Sequence, residues 1–168
     1  MKTLFVLRHA KSSWDNPDWA DFERPLNSSG LDAARFIGTL IYDRELEPQT
    51  IISSPAKRAK QTAVLVKELA GISKSVIFDE RIYEASPLTL FNLIREFDEK
   101  WESALIVGHN PGFENLVRLL TGETVQMPTA ALAKISLHIE KWSDLGTNSN
   151  DLEFLIRPKE EMKKSTTN

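Results

Sequence analysis

Few side chains in this sequence can do demanding chemistry. Cysteine is absent, and histidine occurs three times, as His9, His109 and His138. Without cysteine there is no disulfide, thiolate zinc site, iron–sulfur cluster or cysteine nucleophile. A zinc site made of histidines would need all three, and His138 falls on a separate strand. Two histidines stand beside other useful groups. His9 follows Arg8 at the end of an apolar run, and His109 precedes Asn110-Pro111-Gly112 at the end of another. Arg58 lies one turn into a helical pattern after Ser53-Ser54, and Glu84 lies beyond a third apolar run. Arginine offers a planar fork of donors that matches phosphate oxygens. A histidine next to two arginines is expected to be neutral at pH 7, because like charges lower its pKa. Neutral imidazole is a nucleophile and can be phosphorylated on nitrogen. A second histidine can bond the equatorial oxygens as charge shifts, and a carboxylic acid can protonate the leaving atom. Together these residues suit phosphoryl transfer through a phosphohistidine, with no metal and no cofactor.

Each residue also has an ordinary explanation. Charged pairs close many strands, Arg58 sits among Lys57 and Lys60 like a solvated surface residue, and His109 could merely punctuate a turn. Glu84 could be a surface acid. The ordinary explanations weaken only if the fold brings these residues together.

The apolar pattern says that it does. Thr3–Leu7, Thr50–Ser53, Ser75–Phe78 and Ser103–Val107 read as short buried strands. Between them Leu26–Asp43, Pro55 to about Ala70, Leu88–Phe97 and Phe113–Leu120 read as helices. Asn27 or Ser28 is the expected N-cap of the first helix, and Gly71 and Gly122 the expected ends of the second and fourth. Ala131–Ile139 and Leu152–Ile156 are two late strands, joined by the polar stretch Ser143–Asp151. Alternating strands and helices predict an α/β three-layer sandwich, with a mostly parallel central sheet, helices on both faces and a late antiparallel or mixed edge. Ligands of such sheets sit beyond the carboxyl ends of the strands. Arg8, His9, Arg58, Glu84 and His109 all follow strands, so they are expected to meet at one edge.

The 168 residues form one expected domain, 1–158, with a polar tail at 159–168 that is expected to fray. Twenty-one basic and 24 acidic residues give a net charge of −3, which argues against a nucleic-acid partner. No apolar run approaches a membrane span, and the five apolar residues before Arg8 are too few for a signal peptide. The expected location is the cytoplasm, away from membranes. The sequence has no G-x-x-x-x-G-K-[ST], G-x-G-x-x-G, H-E-x-x-H or G-x-S-x-G, so the nucleotide-binding, zincin and nucleophile-elbow readings lose their main signal.

Three segments carry a resemblance to the histidine phosphatase, or phosphoglycerate mutase-like, superfamily. Leu7-Arg8-His9-Ala10-Lys11-Ser12-Ser13-Trp14 resembles its arginine–histidine signature. Ser53-Ser54-Pro55-Ala56-Lys57-Arg58-Ala59-Lys60-Gln61-Thr62-Ala63 resembles its second motif, and Val107-Gly108-His109-Asn110-Pro111-Gly112 its third. Arg24-Pro25-Leu26-Asn27 and Gly30 resemble the segment that opens its first helix. The resemblance implies a phosphoglycerate mutase-like fold, His9 as the phosphorylated nucleophile, and Arg8, Arg58 and His109 as the phosphate pocket. It carries the acid over to Glu84 on weaker motif context. Lys11 and Ser12, directly after His9, are candidate substrate contacts. Asp15 stands where mutases carry an asparagine that touches phosphate, and a carboxylate there would repel it, so Asp15 is expected to turn away or cap a loop. The chain is short for the insertions of the mutases, which points to the short, phosphohistidine phosphatase branch. The expected activity is hydrolysis of phosphohistidine on a signalling or carrier protein, by a monomer. The alternatives are a phosphatase or mutase for small phosphate esters such as sugar phosphates, and a phosphate-binding module without turnover.

Overall fold

The structure is a computed structural model that describes residues 1–166. Its centre is one sheet. Strand β1 (Lys2–Arg8) is apolar on both faces and buried between helices on each side. Strands β2 (Ile51–Ser53), β3 (Ile77–Phe78) and β4 (Ser103–Gly108) join it in parallel, and β5 (Leu132–Leu137) and β6 (Asp151–Ile156) complete it antiparallel. The order across the sheet is β3-β2-β4-β1-β5-β6.

Alternation along the strands sorts the core into two halves. Leu4 and Val6 of β1, with Ala104 and Ile106 of β4, point to the face covered by α3 (Pro87–Arg95) and α4 (Gly112–Thr121). Phe5 and Leu7, with Leu105 and Val107, point to the face covered by α1 (Ser28–Asp43) and α2 (Lys57–Ala70). Apart from the small Ala104, each of these side chains is worth roughly 1.5–3 kcal/mol on burial. This is the three-layer α/β sandwich expected from the sequence, with the antiparallel edge.

The element ends follow local chemistry. Asn27 caps α1, its side chain accepting from the Gly30 amide. Ser86 caps α3 and Pro87 takes its first position. Gly71 and Gly122 end α2 and α4 with φ of 73° and 80°, left-handed values that glycine adopts without a Cβ clash.

Two expectations change. The third strand shrinks to Ile77–Phe78, both exposed, because it is the sheet edge and pairs only with β2. The tail forms a helix, α5 (Pro158–Thr166), over residues expected to fray, and residues 167–168 lie outside the described residues. Its ends suit the helix dipole, with Glu160 and Glu161 in the first turn and Lys163 and Lys164 in the last. Arg44, just after α1, joins Glu161 at 3.4 Å. No helix of the described residues is long and apolar enough to cross a membrane.

Candidate active site

The register of the sheet puts the two histidines side by side. Arg8 pairs with Gly108, and the His9 amide donates to the Gly108 carbonyl at 2.9 Å. The next residue on each strand is a histidine, and the two ring centroids are 5.2 Å apart. β2 contributes Ser54, whose amide donates to Val107 and whose hydroxyl oxygen lies 2.8 Å from His109 Nε2. α2 starts at Lys57 instead of Pro55, so Arg58 stands in its first turn and is buried. Thr62 locks that turn to the residue after His9. Its hydroxyl donates to the Arg58 carbonyl and accepts from the Ala10 amide.

His9 has one fixed protonation pattern. Its Nδ1 lies 2.7 Å from the Ala10 carbonyl, which can only accept. Nδ1 therefore carries the hydrogen and Nε2 keeps its lone pair. The ring is buried, and burial pushes its pKa down to about 3; the Ala10 bond opposes this, and His109, Arg58 and Arg8 add to it. His109 is lowered to about 4, first by burial and then by Arg58. Both rings are neutral at pH 7, as the sequence suggested, but desolvation outranks like charge as the cause.

The two arginines are held by different segments. Arg8 Nη1 donates to the Met127 carbonyl at 3.0 Å, and Asn110 Nδ2 donates to the same oxygen at 2.9 Å. Glu114 accepts from the Met127 amide and so holds that loop. Burial lowers the Arg8 pKa, with Glu114 opposing. Arg58 Nη1 and Nη2 bond the Asp21 carbonyl and carboxylate at 2.8 and 3.1 Å. Among the described residues, Arg8 Nε and His109 Nδ1 are buried side-chain atoms without a hydrogen-bond partner. Buried polar atoms are normally satisfied, so two orphans at the ends of adjacent strands mark a place for an anion.

The carboxylate at this edge is Asp21, which the sequence reading did not single out. It sits in a single 3-10 turn, Asp21–Glu23, ahead of α1. Besides Arg58 it accepts from Tyr83 Oη at 2.6 Å and Arg24 Nη1 at 3.2 Å. The Tyr83 bond, then Arg58 and Arg24, holds its pKa down at about 2. Tyr83 in turn is raised to about 12 by Asp21, and its ring meets His109 edge-on at 5.5 Å. The only sequence signal was an acid three residues before Arg24, a spacing that a single turn can bring together.

Glu84 lies beside the residues that hold Asp21. It follows Tyr83, is exposed, and has a φ of 54°. Lys11 is exposed, while Ser12 is half-buried with its hydroxyl oxygen accepting from Arg24 Nη2. Gly30 packs against the Lys11 carbonyl so closely that a Cβ would overlap it. Asp15 is exposed, and its amide donates to the Ser13 hydroxyl. His138 lies past β5 at the opposite edge, bonded to Asp151 at 2.7 Å. Among the described residues, no three His, Cys, Asp or Glu side chains converge to hold a metal ion.

The chain is similar to known proteins over most of its length. Residues 4–127 match the model of the histidine phosphatase superfamily, branch 1. Phosphohistidine phosphatase SixA of Escherichia coli is 28% identical over 141 residues, 80% of this chain and 84% of its own. A SixA-type structure from Agrobacterium tumefaciens superposes with a TM-score of 0.79 at 29% identity, covering 94% and 98% of the two chains. The protein histidine phosphatase SixA complexed with tungstate gives a TM-score of 0.82 at 22% identity, covering 95% and 99%, a likeness of fold. With this match, the chain belongs to branch 1 of the histidine phosphatase superfamily, and it is similar to SixA in sequence and fold.

Proposed function

We propose that this protein hydrolyses phosphohistidine on another protein, with His9 as the nucleophile that carries the phosphoryl group. The observation behind it is the His9–Ala10 bond, which fixes the hydrogen on Nδ1 and leaves the Nε2 lone pair free. Arg8, Arg58 and His109 hold the phosphoryl oxygens. Ser54 Oγ accepts from the Ala56 amide and can give its own hydrogen to His109 Nε2; in that tautomer His109 Nδ1–H is left as a donor. That nitrogen and Arg8 Nε are the two unpartnered groups. The phosphoryl group passes from the substrate nitrogen to His9 Nε2. Water then takes it from His9, releasing phosphate. Positioning and charge stabilisation carry this reaction, and the proposed machinery uses no metal.

The choice of substrate rests on proton supply. An alkoxide leaving a sugar phosphate is strongly basic and needs a proton donor. Asp21, held near pKa 2, cannot donate at pH 7, and Glu84 is exposed. An imidazole, with a pKa of about 6.5, leaves readily without such help.

The test is a substrate panel with trapping of the intermediate. A phosphorylated histidine-containing carrier domain should be turned over with a higher kcat/KM than any phosphosugar. His9→Ala should stay folded, lose turnover by about 10³-fold or more and form no acid-labile phosphoprotein. Prolonged EDTA treatment should leave the wild-type rate unchanged. A phosphosugar as the better substrate would replace this reading with the metabolite phosphatase. Tight phosphate binding with no turnover of any substrate would replace it with the binding module.

A further inference from the structure

Asp21 is an ionised carboxylate in a pocket meant for an anion, which calls for a reason. It lies at the mouth. Its side chain is 50% exposed, whereas the Arg58 and Arg24 side chains that bond it are each 9% exposed. The phosphoryl group belongs on the buried side, against Arg8 Nε and His109 Nδ1. His9 attacks from within, and an in-line leaving group must point away from it, toward solvent and past Asp21. The charged and titratable groups around Asp21 are Glu23 and Arg24 on its own segment, Arg58 on α2, Tyr83 and Glu84 after β3, and His109 after β4.

Building on the proposed function, we infer that Asp21 accepts the N–H of the departing imidazole and favours the protonated form of the bound phosphohistidine. The bookkeeping closes without a proton donor. In protonated phosphohistidine one ring nitrogen carries phosphorus and the other carries hydrogen. As the P–N bond breaks, its electron pair stays on the ring nitrogen, and the leaving group departs as neutral imidazole with its N–H intact. At the same time the Nε2 lone pair of His9 forms the new P–N bond. His9 becomes a phosphorylated ring with its hydrogen still on Nδ1, held by the Ala10 carbonyl. The two imidazoles are then held alike, each by an oxygen on the nitrogen that does not bear phosphorus. Ala10 serves the acceptor ring and Asp21 the donor ring. The carboxylate, with its full charge, is suited to the ring that must keep its proton until it leaves. Arg58 and Tyr83 keep Asp21 ionised and aimed, so it acts as an acceptor and never as an acid. This also gives selectivity, because an alkyl or sugar phosphate offers no N–H there and leaves the carboxylate facing a dianion.

Asp21→Asn keeps the shape and removes the charge. Wild type and variant are compared on Nε2-phosphohistidine and on 4-nitrophenyl phosphate, whose leaving phenolate needs no protonation. Any loss through a loosened Arg58 is shared by both substrates, so their ratio isolates the leaving group. At pH 8 the variant should lose at least tenfold more kcat/KM on phosphohistidine than on the nitrophenyl ester. The alkaline limb of the phosphohistidine profile should fall by about one pH unit. Tyr83→Phe keeps the charge and should keep the preference, which covers the case of an unfolded Asp21→Asn. Equal losses on both substrates, or an unmoved alkaline limb, would overturn the inference and leave Asp21 as a support for Arg58. If the wild type turns over nitrophenyl phosphate but not phosphohistidine, the proposed function itself fails, a result that needs no variant to see.

Discussion

Strand β1 carries a cation at each end, Lys2 buried and Arg8 half-buried, and the two are treated in opposite ways. At its start Lys2 is 2% exposed, and its ammonium donates to the Glu99 and Trp101 carbonyls at 2.9 and 2.8 Å. Glu102 lies 3.7 Å away, and the Trp142 ring closes the cage at 5.5 Å. Three directions of approach serve an ammonium with three hydrogens, so Lys2 is saturated. At the other end Arg8 has five donor hydrogens, and its Nε–H is buried without an acceptor. The orphan His109 Nδ1 stands at the same edge. A saturated buried cation holds a fold together. One with donors to spare is waiting for an anion, and the cost of its burial lowers the stability of the empty protein.

Exchanging the two cations tests this most severely. Arg8→Ala should cut kcat/KM by about 10²–10³-fold, the usual cost of losing a preorganised anion donor, with little loss of stability. Lys2→Met should do the reverse. It takes the Lys2 donor from the Glu99 carbonyl, leaves the Trp101 carbonyl with Trp142 Nε1 alone and removes the ion pair, so unfolding should become easier by about 1–3 kcal/mol. Turnover of the folded Lys2→Met protein should stay within about twofold of the wild type, since Lys2 is at the far edge of the sheet. Steady-state kinetics and urea unfolding on both variants decide it. If both lose stability alike, the phosphate edge is structural too.

The next effect is that of pH on the two buried histidines. Their folded pKa values, about 3 and 4, lie below the ordinary 6.5. The unfolded chain therefore binds more protons between those values, and stability must rise with pH there. It is full above pH 6.5 and is lost as pH falls toward 4. Each histidine should contribute about 1–2 kcal/mol to the loss between pH 7 and pH 5. Urea unfolding at the two pH values should show this slope, and His9→Gln with His109→Gln should flatten it. An unchanged slope in the double variant would mean that other groups set the acid sensitivity.

How much of this could be read from sequence depended on the kind of contact. β1 and β4 announce themselves as apolar runs, and Arg8-His9 and His109 follow them directly, so strand ends located both histidines. Arg58 was legible through the Ser53-Ser54-Pro55 break that opens α2. Asp21 was not, because it reaches the pocket from a single turn with no periodicity, and its partners Arg58 and Tyr83 are 37 and 62 residues away. The orphan nitrogens were equally out of reach, since saturation is a property of packing. α5 was missed because its residues are mostly polar, while the Arg44–Glu161 and Lys164–Glu161 pairs and its end charges suit a helix.

The smallest effects should come from Glu84, and they separate its backbone from its side chain. A non-glycine residue at φ 54° sits in left-handed space, where a Cβ is crowded by roughly 1–2 kcal/mol. Glycine relieves that strain but adds freedom to the unfolded chain, so Glu84→Gly should stabilise the protein by a net of about 0.5–1 kcal/mol. Glu84→Gln keeps the strain and removes only the acid. Turnover of phosphohistidine should change by less than about threefold in both variants, because a departing imidazole with its proton in place needs no donor. Alkyl phosphates are the sensitive probe, since a positioned acid is worth about 10²–10⁴-fold to an alkoxide. If Glu84 swings in to protonate them, both variants should lose at least about tenfold on those esters alone. Should Glu84→Gln abolish phosphohistidine turnover instead, proton donation would be essential at this edge. Glu84 would then take the role that Asp21, held ionised by Arg58 and Tyr83, is unable to fill.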